Sequence, residues 1–440
     1  MSKFFKILFT LVIVSFFYYP FNPYIFPASL NTKMALAVVG IFLCLLHFLK
    51  DRISTEFPKN IVPVFFFAGG VSLITIIAVT YNNTTETAYV GYIVSMAVWF
   101  SAAYTVCWLI KKVHGRLDIR LLADYLIAVS VFQCFAALLI DAIPEVAEFA
   151  DTKIIRGTSL MHELDRLYGI GAGLDTAGLH FSICLIMMTY ILHTMKDELS
   201  RWQIFLYVAC FIILVSVGSM MARTTYVGVV LSAGYLVLTT SFSNITLSRS
   251  TLKVWGIVLL TSIIGIIILV YEYNNNTDIR EWLRFAFEGF FNLFEHGEYS
   301  VASTNTLKSM YVFPDNLKTW IIGDGYFNNP YWIDPNFIYQ GQLIEGYYLD
   351  TDVGYCRFIF YFGLIGLAVF ALFLCKCCQI SIDLMPEHKW LFLFCLACGF
   401  VVWLKVATDV FFIFALFICV GNMQDPPEED EELEEMEEAA

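Results

Sequence analysis

The chain has 440 residues, of which 59% are hydrophobic and 15% are charged, whereas about 25% of residues are charged in a typical soluble domain. This composition excludes a disordered protein and a nucleic-acid-binding protein, and it argues against a soluble enzyme. The net charge is −13, but residues 425–440 carry ten acids and no base; without them, 29 acidic residues face 26 basic ones. The acidity therefore belongs to a tail, and we predict that 422–440 is disordered.

Apolar stretches long enough to enter a membrane recur along the whole chain. A bilayer core about 30 Å thick takes about 20 apolar residues per helix. The stretches lie at 7–26, 34–49, 61–81, 89–110, 121–143, 175–194, 202–221, 224–240, 254–271, 353–374, 390–404 and 406–421. The last two form one run interrupted by Lys405 and Asp409, which as a single helix would measure about 48 Å, so two short passes or a re-entrant pair are expected. The sequence predicts an all-α polytopic membrane protein with 11–12 transmembrane helices, in one membrane domain, 1–421.

The positive charges of the loops predict an orientation. With the N-terminus in the cytoplasm, 15 Lys and Arg residues fall in cytoplasmic segments and five in the short outer loops. This bias places a long loop, 272–352, outside the cytoplasm. The loop opens with apolar residues at helical spacing from Ile279 to Leu293, behind Asp278 as the expected N-cap. A second short helix is expected at 300–310.

Motifs for cofactors and metals are missing from the sequence. There is no Walker loop, GxGxxG, GxSxG or HExxH, and the seven histidines are scattered. Cys395 and Cys398 form a CxxC, but inside an apolar run, where a small buried hydrophobic role is favoured. We therefore predict no cofactor and no protein-bound metal.

Charged residues within or against a membrane are costly and are functional candidates by default. In the predicted orientation the following cations face the outer side: Arg156, Arg166, Arg223, Arg357 and Lys405. Because Arg holds phosphate oxygens in a bidentate fork, this group predicts an anion site near the outer leaflet. The alternatives are structural: Arg223 snorkels to the interface, Lys405 pairs with Asp409 four residues later, and Gly323 and Gly325 only form a turn.

Several segments, taken in order, resemble one family. Residues 156–178 resemble an arginine- and glycine-containing periplasmic loop, and 216–228, SVGSMMARTTYVG, resemble a helix turn that carries Arg before Ser or Thr. Residues 321–325, IIGDG, resemble a loop element of the pattern apolar-x-Gly-x-Gly, and 352–366 resemble the segment that re-enters the membrane. The chain resembles the O-antigen polymerases (Wzy type) of the O-antigen ligase and polymerase superfamily. Ligases of this superfamily carry a His near the end of the large loop, where this chain has Asp352, and that favours a polymerase.

The resemblance implies a function, a fold and a location. The implied enzyme is a metal-independent membrane glycosyltransferase of the helical C class, with 272–352 as a large, partly helical periplasmic loop. It transfers a growing glycan from undecaprenyl diphosphate to a sugar hydroxyl of another lipid-linked unit, at the periplasmic face of the bacterial inner membrane. Arg223 and Asp352 are the implied catalytic residues, and Arg156, Arg166, Arg357, Lys405, Gly323 and Gly325 the implied substrate-binding residues. The implied partners are the lipid-linked donor and acceptor, the bilayer and a chain-length regulator.

Two alternatives to the polymerase remain open at this point. An O-antigen ligase would transfer the glycan to lipid A core. A lipid-oligosaccharide flippase or other transporter would carry out no covalent chemistry; such proteins commonly show internal repeats and polar residues near the bilayer midplane. The chain shows no convincing repeat between its halves, and its charges collect at one face.

Overall fold

The computed structural model describes residues 3–50, 60–158, 161–162, 166–239, 249–330 and 346–424. The predicted disordered tail therefore lies almost entirely outside the described residues, as does part of the long loop, 331–345. The described chain is all-α and contains no strand. The helices that coincide with its predicted apolar stretches are α1 (Lys3–Tyr18), α2 (Thr32–Lys50), α3 (Ile61–Asn82), α4 (Tyr92–His114), α5 (Ile119–Ala142), α7 (Leu174–Thr194), α8 (Arg201–Met221), α9 (Thr225–Thr239), α10 (Arg249–Asn275), α15 (Gly354–Leu384), α16 (Lys389–Val402) and α17 (Phe411–Met423).

Short helices occupy the connections at one end of the bundle. The first connection holds α6 (Pro144–Phe149) and a π-helical turn, Ala150–Ile154. The long loop holds α11 (Thr277–Ala286), α12 (Glu288–His296), α13 (Ala302–Ser309) and α14 (Leu317–Ile322). The expected short helix at 300–310 is confirmed as α13.

Every predicted apolar stretch contains a helix, but the helices differ in their capacity to span a bilayer. Among the described residues, α3, α4, α5, α7, α8 and α15 are long and apolar enough to cross. Four shorter apolar helices accompany them, namely Thr32–His47, Thr225–Thr239, Leu259–Asn275 and Phe411–Met423. The chain is thus a multi-pass membrane protein. The interrupted final run forms two separate helices, α16 of 14 residues and α17 of 13, each about 20 Å long.

Contacts at the two ends of the bundle show at which end the C-terminus of α17 lies. At one end, Lys111 at the end of α4 donates to the carbonyl of Met423 over 2.7 Å, and Arg120 lies 3.7 Å from Glu198. At the opposite end, Lys405, between α16 and α17, contacts Asp175 at the start of α7. The C-terminus of α17 therefore lies at the same end as the predicted cytoplasmic loops.

Helix α15 is broken eight residues after it begins. Phe362 (φ −131°, ψ 15°) and Gly363 (φ 69°, ψ −175°) leave the helical conformation. The carbonyls of Phe360 and Tyr361, which the break frees, accept the backbone N–H groups of Asp324 (2.5 Å) and Gly325 (3.1 Å). A break in a membrane helix is tolerated where protein satisfies the freed backbone in this way. The start of α15 is thereby fixed as a short separate helix that carries Arg357.

The amphipathic region of the long loop differs from its prediction in two respects. The N-cap is Asn276 rather than Asp278: its side-chain oxygen accepts the N–H groups of Asp278 (3.0 Å) and Ile279 (3.2 Å). The helix also ends at Ala286, and the chain turns at Phe287 before α12 begins. This turn directs the carbonyl of Phe285 and the carboxylate of Glu288 toward the membrane bundle, where both contact Arg223.

Candidate active site

Arg223 occupies the tight turn between α8 and α9 and points into the protein. Its side chain is only 13% exposed, so it does not snorkel to the interface. Its Nε donates to the carbonyl of Phe285 (3.0 Å), its Nη1 to the hydroxyl of Ser303 (2.7 Å), and its Nη2 lies 2.5 Å from a carboxylate oxygen of Glu288. Arg223 therefore joins the α8–α9 turn to the helices of the long loop.

A cavity of about 390 Å³ surrounds Arg223 and two further arginines. The guanidinium carbons of Arg166 and Arg223 each lie 3.8 Å from the ring centroid of Phe285. Arg284 also lines this cavity, paired with Glu295 at 2.6 Å. The folded chain thus brings Arg166 to Arg223, as expected for an anion site, and adds Glu288 as a competing carboxylate. We call this the arginine cavity.

Lys405 pairs with Asp175, not with Asp409. Its Nζ lies 2.5 Å from Asp175 Oδ1 and 3.2 Å from Thr224 Oγ1. Thr224 also donates to the same Asp175 oxygen. Asp409 instead accepts from the hydroxyl of Tyr92 and from the N–H of Phe411, each over 2.8 Å. The interpretation of Lys405 and Asp409 as an i, i+4 pair is therefore wrong.

Asp352 and Arg357 face each other across the start of α15. Arg357 Nη1 lies 3.7 Å from Asp352 Oδ1, too far for a hydrogen bond. Asp352 Oδ1 and Arg357 Nε are both buried, and neither has a hydrogen-bond partner in the described chain. Buried polar groups are rarely left unpaired, because burial without a partner is costly. Within the described residues, these two atoms therefore lack the hydrogen bonds that buried polar groups usually make.

Burial changes the acidity of Asp352. Loss of water around the carboxyl raises its pKa from 3.8 to about 6, a change that Arg357 and Lys405 oppose and Asp175 reinforces. Because a desolvated carboxyl disfavours its charged form, Asp352 titrates close to neutral pH. Such a group can accept a proton at neutral pH and return it.

The position of Arg357 is fixed from its other side. Its Nη2 donates to the carbonyl of Phe327 and to Asn328 Oδ1, each over 3.2 Å, and its guanidinium lies 3.9 Å from the Phe327 ring centroid. Asn328 is itself held by Glu86, which accepts its backbone N–H (3.1 Å) and its side-chain amide (3.2 Å). Glu86 is only 5% exposed, so a buried carboxylate anchors the residue that orients Arg357.

Three predicted substrate-binding residues lie away from these groups. Arg156 donates to the carbonyl of Tyr24 over 3.0 Å and lines a second cavity, so it does not join Arg166. Gly323 lies against the break in α15, where an added Cβ would come within 2.6 Å of Tyr361 backbone atoms. At Gly325 an added Cβ would meet the Thr84 side chain at 2.9 Å. Close packing and positive φ values of 83° and 74° explain both glycines without a ligand, although a binding role stays a prediction.

Several residues of the site were not among the predicted site residues, including Asp175, Thr224, Phe285 and Glu288. A carboxylate in the first turn of an apolar helix, as at Asp175, is a signal that the sequence did contain. Thr224 simply follows Arg223. Nothing in the sequence pattern distinguishes Phe285 and Glu288 from other residues of an amphipathic region.

Comparisons with protein-family models, curated proteins and solved structures find no match for the chain. Within the described residues, no group of three or more His, Cys, Asp or Glu side chains is placed to hold a metal ion.

Proposed function

We propose that the chain is an O-antigen-type polymerase of lipid-linked oligosaccharide repeat units. In this proposal 11–12 helices of a C-class glycosyltransferase fold lie in the bacterial inner membrane, and the arginine cavity faces the periplasm. The observation that carries the proposal is the juxtaposition of two chemistries. Arg223 belongs to the arginine cavity, and its neighbour Thr224 contacts Asp175 and Lys405, which interact electrostatically with Asp352. Thr224, Asp175 and Lys405 thus link the arginine cavity to the buried carboxyl of Asp352.

The arginine cavity suits the diphosphate of an undecaprenyl-linked donor. A guanidinium group can donate two parallel hydrogen bonds to phosphate oxygens. The guanidinium groups of Arg166 and Arg223 both lie at the ring of Phe285, so two positive charges are concentrated in this cavity. Glu288 holds Arg223 at 2.5 Å, so an incoming diphosphate would replace one anion by another. The cationic character of the cavity would then stabilise the charge that develops on the departing diphosphate.

Asp352 would serve as the general base. Its carboxylate accepts the proton of an acceptor sugar hydroxyl, and the hydroxyl oxygen forms a new bond to the anomeric carbon of the growing chain. The bond from that carbon to the diphosphate oxygen breaks, and undecaprenyl diphosphate leaves with the bonding electron pair. The proton then passes from Asp352 to the leaving group or to water, which restores the carboxylate.

Arg357 and Lys405 would set the protonation and position of this base. Both lower the pKa of Asp352 against the effect of burial, and at the resulting pKa of about 6 most of the carboxyl is ionised at neutral pH. The unpartnered Nε of Arg357 and Oδ1 of Asp352 would bind the acceptor hydroxyl between them. General-base positioning of this kind contributes about 10²–10⁴-fold to a rate.

The test is a reconstituted reaction. The purified protein in nanodiscs is incubated with the lipid-diphosphate-linked repeat unit, in EDTA and without nucleotide, and the glycolipids are resolved on a gel. A ladder of regularly spaced bands is expected, and Asp352→Asn protein should give only the starting unit. Transfer of the glycan to added lipid A core, without a ladder, would identify a ligase. Flipping of the substrate in liposomes, without any new glycosidic bond, would identify a transporter. Either result would refute the proposed polymerase activity.

A further inference from the structure

A second cavity, of about 360 Å³, lies beside the first turn of α7 and has a different chemical character from the arginine cavity. Its lining includes the hydroxyl or amide side chains of Asn22, Thr158, Tyr168 and Thr176. It also includes the backbone of four glycines, namely Gly157, Gly169, Gly171 and Gly173. Among the described residues of the lining, Arg156 is the one with a formal charge, and its guanidinium donates to the carbonyl of Tyr24. We call this the glycine cavity.

The walls of the glycine cavity are held by hydrogen bonds from two directions. The side chain of Gln133 on α5 accepts the N–H of Ile170 (2.7 Å) and donates to its carbonyl (3.0 Å). On the other wall, the N–H of Arg156 donates to the carbonyl of Asn22 over 3.1 Å. A cavity fixed in this way needs little ordering when a ligand binds, which favours affinity.

The remaining wall is fixed by a polar network outside the cavity. The hydroxyl of Tyr168 donates to Asp151 (2.8 Å), whose other carboxylate oxygen lies 2.7 Å from His162 Nε2. The Tyr168 ring is thereby held in place in the lining. Aromatic and apolar surface combined with a few polar groups is the usual composition of a small-molecule site, and the volume lies within the usual range of about 300–1,000 Å³.

The chemistry of the lining favours an uncharged, hydroxyl-rich ligand. Backbone groups, hydroxyls and a carboxamide can donate to and accept from sugar hydroxyls, whereas a diphosphate would gain more from the arginine cavity. The position also fits, because Thr176 lines the glycine cavity while the preceding residue, Asp175, contacts Lys405 and Thr224. The first turn of α7 therefore contributes to both this cavity and the candidate active site.

We propose that the glycine cavity binds a neutral pyranose of the acceptor oligosaccharide. This inference rests on the proposed function and adds to it a site for the acceptor separate from the diphosphate site. The acceptor would be recognised through its sugar, and its lipid diphosphate would not enter the arginine cavity.

Binding without catalysis tests this proposal. The probe is the free oligosaccharide, released by mild acid from the lipid-linked pool of the cells, and its affinity is measured by calorimetry on detergent-purified protein. Thr176→Trp should fill the cavity and weaken binding by at least about tenfold. Thr152→Trp is the matched control, since Thr152 is also exposed in the same connection but lies outside the lining. Thr158→Trp provides a second filled cavity if Thr176→Trp does not fold.

The outcomes separate the two proposals. Unchanged oligosaccharide affinity in both filled variants would overturn the acceptor site. Wild-type protein that binds inorganic pyrophosphate but no oligosaccharide would also overturn it and would leave the diphosphate site standing. A third outcome is that the wild-type protein binds the oligosaccharide, both filled variants lose this binding, and the wild-type protein forms no ladder. This outcome would support the glycine cavity as a sugar site and refute the proposed polymerase activity.

Discussion

Arg223, which is partly buried, and Arg357, which is buried, lie at the same end of the bundle, but their surroundings differ. Arg223 uses its Nε and both terminal nitrogens on a carbonyl, a hydroxyl and the carboxylate of Glu288. Arg357 keeps an unpartnered Nε and faces Asp352 at 3.7 Å without a hydrogen bond. The comparison is consistent with the proposed division of roles, in which Arg223 would bind an anion in exchange for Glu288 and Arg357 and Asp352 would contact the reacting groups.

The largest effect is expected at Asp352. Asp352→Asn removes the proton acceptor but keeps the size of the side chain, so transfer should fall by about 10²–10⁴-fold, with donor binding little changed. The measurement is the initial rate of bond formation together with the donor affinity of the same preparation. Asp350→Asn is the matched control, because it makes the same change two residues earlier, where a φ of 57° suits Asn. Equal rates in the two variants would remove Asp352 from the chemistry.

Arg223→Ala should be the next largest change. It removes a cation of the arginine cavity, and we expect polymer formation to fall by about 10²–10³-fold while the protein still accumulates in the membrane. Unlike Asp352→Asn, this variant should also lose donor affinity. Arg280→Ala serves as the control, because Arg280 binds backbone carbonyls of Tyr273 and Asn274 and does not line the cavity. Full-length polymer from Arg223→Ala cells would rule out the assigned role.

Glu86→Gln tests whether Arg357 must be held in place. Glu86 accepts both N–H groups of Asn328 with one oxygen and the backbone N–H groups of Thr87 and Ala88 with the other. Glutamine has only one accepting atom, so one of these two sets of hydrogen bonds is lost and Asn328, which positions Arg357, is held less firmly. We expect about a 10-fold loss of rate and an acid limb of the pH–rate profile at higher pH, because Arg357 lowers the pKa of Asp352. Glu145→Gln, at an exposed site, is the control. A loss of rate with an unmoved acid limb would show that Glu86 is only structural.

The smallest predicted effect concerns Glu288. If this carboxylate competes with the diphosphate for Arg223, Glu288→Gln should strengthen binding of farnesyl diphosphate, by up to about fivefold for a partly exposed ion pair. Glu298→Gln changes an exposed neighbour and should leave the affinity unchanged. Weaker binding by Glu288→Gln would mean that Glu288 supports the cavity and does not compete for it.

The sequence predicted the positions of the apolar helices well because their signal is local, but within the described part of the chain only six of them are long and apolar enough to cross a membrane. The length of an apolar stretch can be counted directly in the sequence. Lys405 and Asp409, which interrupt the final run, were enough to predict that it forms two helices. The helix cap was misplaced because α10 continues to Asn275 and leaves Asn276, a strong N-cap residue, directly before α11. The break at Phe362 and Gly363 could not be predicted, since it depends on the docking of residues 323–325, about 40 positions away.

The sequence identified most charged residues of the candidate site but not the residues with which they pair. Arg166, Arg223, Arg357 and Lys405 were identified because charge near a membrane is costly. Their partners lie far along the chain: Lys405 meets Asp175 across 230 residues, and Arg223 meets Ser303 across 80. Spacing rules reach one helical turn, and for that reason the sequence suggested Asp409 for Lys405. Arg156 was grouped with Arg166 because both lie in the same outer loop.

The pH dependence of glycan transfer tests most directly whether Asp352 is the base. Above its pKa of about 6 the carboxylate is available to accept a proton, so the rate should rise with pH through about 6 and then level off. Lys405→Gln should move this limb to higher pH and Asp175→Asn to lower pH, because Lys405 lowers and Asp175 raises the pKa of Asp352. Opposite shifts would support the account, whereas a flat profile from pH 5 to 8, or a limb that neither variant moves, would contradict it.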